Sequence, residues 1–390
     1  MHELYLRAGH ETRIRSGHLW VFSNELQSIP RLPPGSLVRV VSAEGESFGV
    51  GLYNPHSLIC VRLLGTDEVT DLDVPFFAER LRHALQLRER ICKGESMYRL
   101  VHGESDLLPG LVIDRYGNYC AVQTLSTGMD QRLPIIVEAL RHVLPEIEGI
   151  VEKNHSHLRQ LEQLPQRQGI LYGQVPERFV LEEFGLRVEL RLMEGQKTGA
   201  YLDQRYHRAV VGRMASGLRV LDCFTYHGGF ALHAALHGAR EVVGVDSSAS
   251  ALEAARRNAE LNQLQAVQFV EADVFTFLGE QVAEGKQWDM VILDPPAFAK
   301  SRRHVPAAKR GYGEINRLAL LLLPPGGYLV TSSCSHHVFE AVFLEVIFAE
   351  ATRLKRRLRL LYRGTQPSDH PILLNMPETQ YLKFFIFQVL

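Results

Sequence analysis

The feature that most constrains this chain is a strict alternation of short apolar runs with helical segments, from about residue 195 onward. Residues 218–222, 241–246, 267–270, 289–293 and 328–332 are short, apolar and rich in β-branched side chains. Helical patterns separate them; one, over 250–261, puts Leu252, Ala255 and Ala259 on a single face. This repetition predicts an α/β fold, a mostly parallel sheet covered by helices on both sides, with ligands at the carboxyl ends of its strands. The last run, YLKFFIFQVL, reads as one more strand closing the sheet.

Those strand ends are acidic. Asp222, Asp246 and Asp273 stand just beyond three consecutive strands. Asp222 leads into CFTYHGGFAL, where Gly228 and Gly229 let the backbone approach a ligand at a helix N-terminus. Asp246 is placed to accept both hydroxyls of a ribose, and Asp273 to meet an adenine amino group. Aspartates also cap helices in such loops, but three in register favour a ligand. A dinucleotide cradle needs three spaced glycines, so NAD and FAD are disfavoured and S-adenosylmethionine fits better. The fourth strand ends in Asp294-Pro295-Pro296-Ala297-Phe298. Its carboxylate and carbonyls would lie beside the transferable group, and Phe298 would either stack on an extruded base or anchor the loop. Amino-directed methyltransferases carry an aromatic where this chain has Ala297, which weighs against amino methylation.

Cys334 follows the fifth strand in VTSSCSHH, on the same rim as Asp294. A thiolate there would add to carbon 6 of a pyrimidine and make carbon 5 nucleophilic, with Asp294 bonded to the ring edge. An ordinary thiol titrates near ~8.5, so this role requires activation; the alternative is a small buried thiol. His336 and His337 read as solvent-facing or capping groups.

Upstream, residues 37–41, 47–52 and 58–64 read as strands of a small β module within 1–72. A helix over 74–91 puts Phe77, Leu81, Leu85 and Leu87 on one side and links to an α+β domain ending near 190. That domain opens with a hairpin around Tyr116-Gly117-Asn118 and continues with a helix over 133–144 and strands over 169–173 and 186–192. Cys60, Cys92, Cys120, Cys223 and Cys334 are an odd number without a C-x-x-C pair, so neither a disulfide framework nor a metal site is expected. That usage, with no signal peptide and no membrane span, fits the cytoplasm.

The motifs RIRSGHLWVFSNEL, YNPHSLICVRLL, GESDLLPGLVIDRYGN, KTGAYLDQR, LDCFTYHGGFAL, DPPAFAKS, RGYGEIN, SSCS and DHPILLNMPETQYLK occur in this order along nearly the whole chain. Together they resemble the bacterial ribosomal RNA large subunit methyltransferase I family, cytosine-5 RNA methyltransferases that use S-adenosylmethionine. The resemblance implies a PUA domain over 1–72, an EEHEE-type central domain with its linker helix over 73–190, and a class I methyltransferase with a seven-stranded sheet over 191–390. It implies that Gln204, Asp222, Phe224, Thr225, Tyr226, Gly228, Asp246 and Asp273 line the cofactor, with Ser247, Val274 and Pro295 beside them. Cys334 would be the nucleophile and Asp294 its catalytic partner.

Charge locates the RNA. Overall, 43 basic side chains face 44 acidic ones, but residues 301–363 hold 11 Lys and Arg against 4 Asp and Glu. Arg302, Arg303, Lys309 and Arg310 follow the D-P-P loop and would track phosphates, with Phe298 and Tyr312 at the base. Residues 1–72 carry 6 basic and 8 acidic groups, so RNA binding by that domain rests on the resemblance. The expected partner is large-subunit ribosomal RNA, with no membrane and no metal; a homodimer is left open. Two other functions fit the same residues: a guanine N-methyltransferase using D-P-P alone, and a non-catalytic RNA-binding assembly factor.

Overall fold

The computed structural model describes residues 1–65, 69–195 and 198–390, which divide into two compact units. The first comprises Met1–Leu181, Leu190–Leu202 and Ser368–Thr379. It begins with β1 (His2–Tyr5), the short helix α1 (Glu11–Arg15), β2 (Trp20–Phe22), β3 (Leu37–Val41), β4 (Ser47–Tyr53) and β5 (Ile59–Gly65). Their sheet runs β1-β3-β4-β5-β2. The strands expected at 37–41, 47–52 and 58–64 are present to within a residue; β1 and β2, at 4 and 3 residues, are too short to show alternation. Register shifts at Val21/Phe22, Arg39/Val41 and Val50/Gly51 bend the strands around a core of Leu6, Val21, Val38 and Val61.

Helix α2 (Val74–Ile91) starts where the Asp73 carboxylate accepts the Phe76 N–H, with a proline in the first turn. Phe77, Leu81, Ala84 and Arg88 form its buried stripe. Leu87, expected on that face, is 40% exposed, because helical spacing from Leu81 leads to residues 84, 85 and 88.

The sheet that follows contains β6 (Met97–His102), β7 (Leu111–Tyr116), β8 (Tyr119–Thr124), β9 (Gly149–Asn154) and β10 (Arg167–Gly173) in the order β10-β9-β8-β7-β6. Helices α3 (Thr127–Gln131) and α4 (Leu133–Val143) cross from β8 to its parallel neighbour β9, and the single turn α5 (Leu158–Leu161) follows β9. An EEHEE pattern needs two strands before the helix, and β6 is a third. Leu52 and Leu64 join the core of this sheet, while the Asn54 amide and the Arg62 guanidinium bond to the buried Glu162 at 2.7 and 3.1 Å. These contacts bring the first 72 residues and the central domain into one unit. Asp369 attaches the 368–379 segment, accepting from Arg88 on its backbone carbonyl at 2.9 Å and from the Arg99 N–H on Oδ2 at 2.8 Å. The ribbon β11 (Phe179–Glu183) and β12 (Leu186–Leu190) lies where the chain passes between units.

The second unit comprises Glu182–Glu189, Asp203–Pro367 and Gln380–Leu390. It contains α6 (Arg205–Met214), β13 (Arg219–Cys223), α7 (Gly229–Leu236), β14 (Glu241–Asp246), α8 (Ala249–Leu261), β15 (Val267–Glu271), α9 (Val274–Ala283) and β16 (Met290–Leu293). Then come α10 (Val305–Leu322), β17 (Tyr328–Ser333), α11 (Glu340–Arg353), β18 (Leu358–Gly364) and β19 (Lys383–Val389). The sheet order is β15-β14-β13-β16-β17-β19-β18, with the first five strands parallel and β19 antiparallel to both neighbours. Every residue of β16 is buried: Val291 and Leu293 join one core with Phe343 of α11, Met290 and Ile292 the other with Ala231 of α7. That two-sided burial is why the strands read as unbroken apolar runs. The C-terminal tail corrects the sequence reading. It inserts between β17 and β18, and the edge belongs to β18 with its exposed Arg359, Leu360 and Leu361. No helix among the described residues is long and apolar enough to cross a membrane.

Candidate active site

The strand order reverses between β13 and β16, and this is where parallel sheets open a crevice at their carboxyl ends. The loop leaving β13 carries two non-glycine residues in the left-handed region, Phe224 at φ 63° and Tyr226 at φ 51°. Gly228 continues it at φ +81°; a Cβ there would lie 3.0 Å from the Phe269 ring and 3.2 Å from Ala255. Glycine is therefore required by conformation and by space. The Thr225 N–H donates to the Val245 carbonyl at 3.0 Å, tying the loop to β14.

Asp222 lies within β13 rather than beyond it, and is fully buried. Its Oδ2 accepts from the Thr225 hydroxyl at 2.5 Å and the Ala231 N–H at 3.0 Å, pinning the loop to α7. Burial pushes this carboxyl up to about 7. Asp246 closes β14; Oδ2 accepts the Tyr226 N–H at 2.9 Å and Oδ1 the Ser248 N–H at 3.0 Å. It is half-buried at the rim beside the exposed Ser247. Asp273 is the exposed N-cap of α9, its Oδ1 accepting from the Thr276 N–H at 2.9 Å, and Val274 beside it is a core residue. This rim fits an adenosine: carboxylates accept from ribose hydroxyls and an amino group, and would repel the phosphates of a dinucleotide.

Asp294 directly follows β16 at the same rim, ahead of the buried Pro295. Its Oδ1 accepts from the Gln204 amide at 2.8 Å and the Ser332 hydroxyl at 2.5 Å. Burial raises its pKa, and these two donors oppose the rise. The Gln204 carbonyl in turn lies 2.7 Å from His207 Nδ1. His207 stacks on Phe384 with centroids 4.0 Å apart, and burial lowers it to about 4. A neutral imidazole therefore donates through Nδ1 and orients the glutamine. Gln204, 4% exposed and expected to touch the cofactor, has its amide engaged in this relay. The spacing of Gln204 and His207 at i,i+3 around the start of α6 is the sequence signal for the relay.

Cys334 follows β17 and is half-buried, whereas Cys60, Cys92, Cys120 and Cys223 are buried. A hydrogen-bonded cradle holds its neighbours. The Ser333 hydroxyl donates to the Tyr312 hydroxyl at 2.9 Å, and the Tyr312 and Ser335 hydroxyls are 3.0 Å apart. Ser335 Oγ also accepts the Ala299 N–H at 3.2 Å, joining this turn to the D-P-P loop. The Lys383 ammonium closes the far side on the Ser335 carbonyl at 2.7 Å. Tyr312 thus corrects one expectation. It is fully buried beneath the cradle and does not face a base. Phe298 packs on Tyr312 with centroids 4.7 Å apart and near Phe275 and Phe224, so the anchoring reading describes it.

Arg302, Arg303 and Arg310 are exposed and have no acidic partner among the described residues. Lys309 lies 3.4 Å from Glu345 of α11, so its charge is partly spent within the protein. No group of three or more His, Cys, Asp or Glu among the described residues is arranged to hold a metal ion.

Residues 99–384 match the family model of an S-adenosylmethionine-dependent methyltransferase, and residues 4–66 match that of a PUA-like domain. A curated protein from Photobacterium profundum, ribosomal RNA large subunit methyltransferase I, is 40% identical over 389 residues, covering 98% of each chain. The protein of the same name from Aeromonas salmonicida is 39% identical over 386 residues, 97% of each. Among solved structures, a putative methyltransferase complexed with SAH superposes with a TM-score of 0.88 at 25% identity, covering 100% of both chains.

Proposed function

The chain belongs to the ribosomal RNA large subunit methyltransferase I family of S-adenosylmethionine-dependent enzymes, and from that premise we propose that it methylates carbon 5 of a cytosine in large-subunit ribosomal RNA through a covalent adduct on Cys334. The observation that carries this reading is a half-exposed cysteine in a rigid serine cradle, on the rim that also bears Asp294. S-adenosylmethionine, when bound, supplies an electrophilic methyl group. Asp246 and Asp273 would hold its ribose and adenine, the loop from Phe224 to Gly228 would close over it, and Asp222 would keep that loop in place. Asp294, with Oδ1 committed to Gln204 and Ser332, would use Oδ2 toward the base. Its raised pKa suits a carboxyl that gives a proton to the ring nitrogen as the Cys334 thiolate adds to carbon 6. Carbon 5 then gains the methyl group, a base takes the carbon-5 proton as the thiolate is expelled, and the ring-nitrogen proton returns to the Asp294 carboxylate, restoring the ring.

Arg302, Arg303 and Arg310 would bind phosphates beside the extruded nucleotide, with the PUA-like domain adding contacts elsewhere on the RNA. The cytoplasm, where ribosomal RNA is made, is the compartment this reading implies. Ala297 and the cradle around Cys334 favour it over guanine N-methylation, in which no thiol takes part. The test is Cys334→Ala assayed on ribosomal RNA from a strain lacking the protein. Loss of methylation with S-adenosylmethionine binding retained by calorimetry is expected; retained methylation would refute the covalent mechanism. Absence of cofactor binding by folded wild type would favour the assembly-factor alternative.

A further inference from the structure

Lys383 is 5% exposed, yet it forms no ion pair with a carboxylate among the described residues. It is the first residue of β19, and the antiparallel register pairs it with Ser333, the residue before Cys334. Its Nζ donates to the Ser335 carbonyl at 2.7 Å and to the Tyr381 carbonyl at 2.7 Å. It thus bridges the residues on either side of the cysteine to the strand that follows. A buried ammonium held only by neutral carbonyls is costly, and a cysteine whose thiolate would share its site is the natural counter-charge.

We propose that Lys383 is the positioning residue that receives the thiol proton of Cys334 and holds the resulting thiolate as its ion pair. This rests on the reading of Cys334 as nucleophile. The step is balanced: Cys–SH and Lys–NH2 become Cys–S⁻ and Lys–NH3⁺, the S–H bond breaking as the third N–H bond forms. The two carbonyl contacts occupy the two hydrogens of the neutral amine and leave its lone pair for the thiol proton. When the thiolate leaves carbon 6, the ammonium is in place to receive it.

The surrounding groups agree with this assignment. Burial pulls Lys383 down to about 8, while Cys334 and Glu340 act in the opposite direction. At pH 7 the lysine is therefore mostly an ammonium, and roughly a tenth of it is the neutral amine that accepts the thiol proton. Glu340 is itself paired with Arg363 at 2.5 Å. Tyr312, another titratable group near Cys334, is raised by burial and already bonded to Ser333 and Ser335. His336 stacks on Tyr381 at 5.3 Å, and its charged form is disfavoured by burial and by repulsion from Lys383 and His337.

The test is the pH dependence of Cys334 alkylation by iodoacetamide in the full-length protein, read by peptide mass spectrometry. The other four cysteines are buried and serve as internal controls. Wild type should titrate below the ~8.5 of an ordinary thiol. Lys383→Gln, which can still donate to both carbonyls, should move the midpoint up by at least one pH unit and slow alkylation at pH 7 by about tenfold. Lys383→Arg, a permanent cation, should keep the midpoint low. A merely structural lysine would change the rate at all pH values and leave the midpoint unmoved. Coincident midpoints for wild type and folded Lys383→Gln would overturn the proposal; should that variant not fold, an ordinary midpoint in wild type would do so. A shifted midpoint with full methylation by Cys334→Ala would instead keep the pair and remove the nucleophile.

Discussion

Replacing Tyr312 with Phe separates a scaffold from an RNA contact. The ring stays, so its packing against Phe298 and Phe343 is preserved and no cavity opens. What disappears is a hydroxyl bonded to both Ser333 and Ser335. Two neutral hydrogen bonds at about 1 kcal/mol each give a loss of about 2 kcal/mol, rising to about 4 if the Ser333 hydroxyl finds no other acceptor. For a unit of this size each kcal/mol lowers Tm by roughly 2–4 °C, so calorimetry should show a fall of roughly 4–16 °C. Release of the serines displaces Cys334, and a reacting atom misplaced by about 1 Å costs on the order of a hundredfold in kcat. RNA affinity, measured by filter binding, should stay within twofold, because a fully buried ring has no surface to offer. An unchanged Tm with RNA binding weakened tenfold would refute the scaffold argument and restore the contact.

Two other perturbations test the rim. Asp222 is held neutral by burial to about 7, so the folded unit binds a proton that the unfolded chain has already lost above pH ~4. Its contribution to stability is full below that pH and falls as pH rises through about 7, on the order of 4 kcal/mol across the window. Asp222→Asn should therefore flatten the decline in urea unfolding free energy between pH 5 and 8; an unchanged slope would refute the assignment. Changing Arg302, Arg303 and Arg310 together to Ala should weaken RNA binding and reduce the slope of log affinity against log salt by about 2 to 3, with S-adenosylmethionine affinity unchanged. An unaltered slope would mean that phosphates bind elsewhere.

The parts of this protein that are legible in its sequence are those where local pattern and burial agree. Strands β13, β14, β16 and β17 are enclosed on both faces, so their apolar runs and the turns between them disclose the parallel sheet almost residue by residue. The acidic positions follow from that sheet, because parallel strands end on one edge. What the side chains do there is less legible, since a short carboxylate at a strand end can hold a ligand or hold its own loop. Asp222 and Gln204 turn inward to Thr225, Ala231 and His207, while Asp246 and Asp273 stay at the surface of the rim.

Tyr312 shows a signal that was available. An aromatic after Lys309 and Arg310 reads as a stacking platform, yet Ala308, Tyr312, Ile315 and Ala319 repeat at helical spacing and are all buried. Lys383 had no comparable signal. A lysine opening a C-terminal apolar run reads as a solvated end, and only the insertion of β19 between β17 and β18 brings it opposite Ser333. Strand order is a long-range property, chosen by which faces the whole sheet must bury rather than by neighbours in the chain. The pairing of Lys383 with Cys334 depends on that order, so a chemistry spread over two distant motifs becomes one site only once the antiparallel tail is in place.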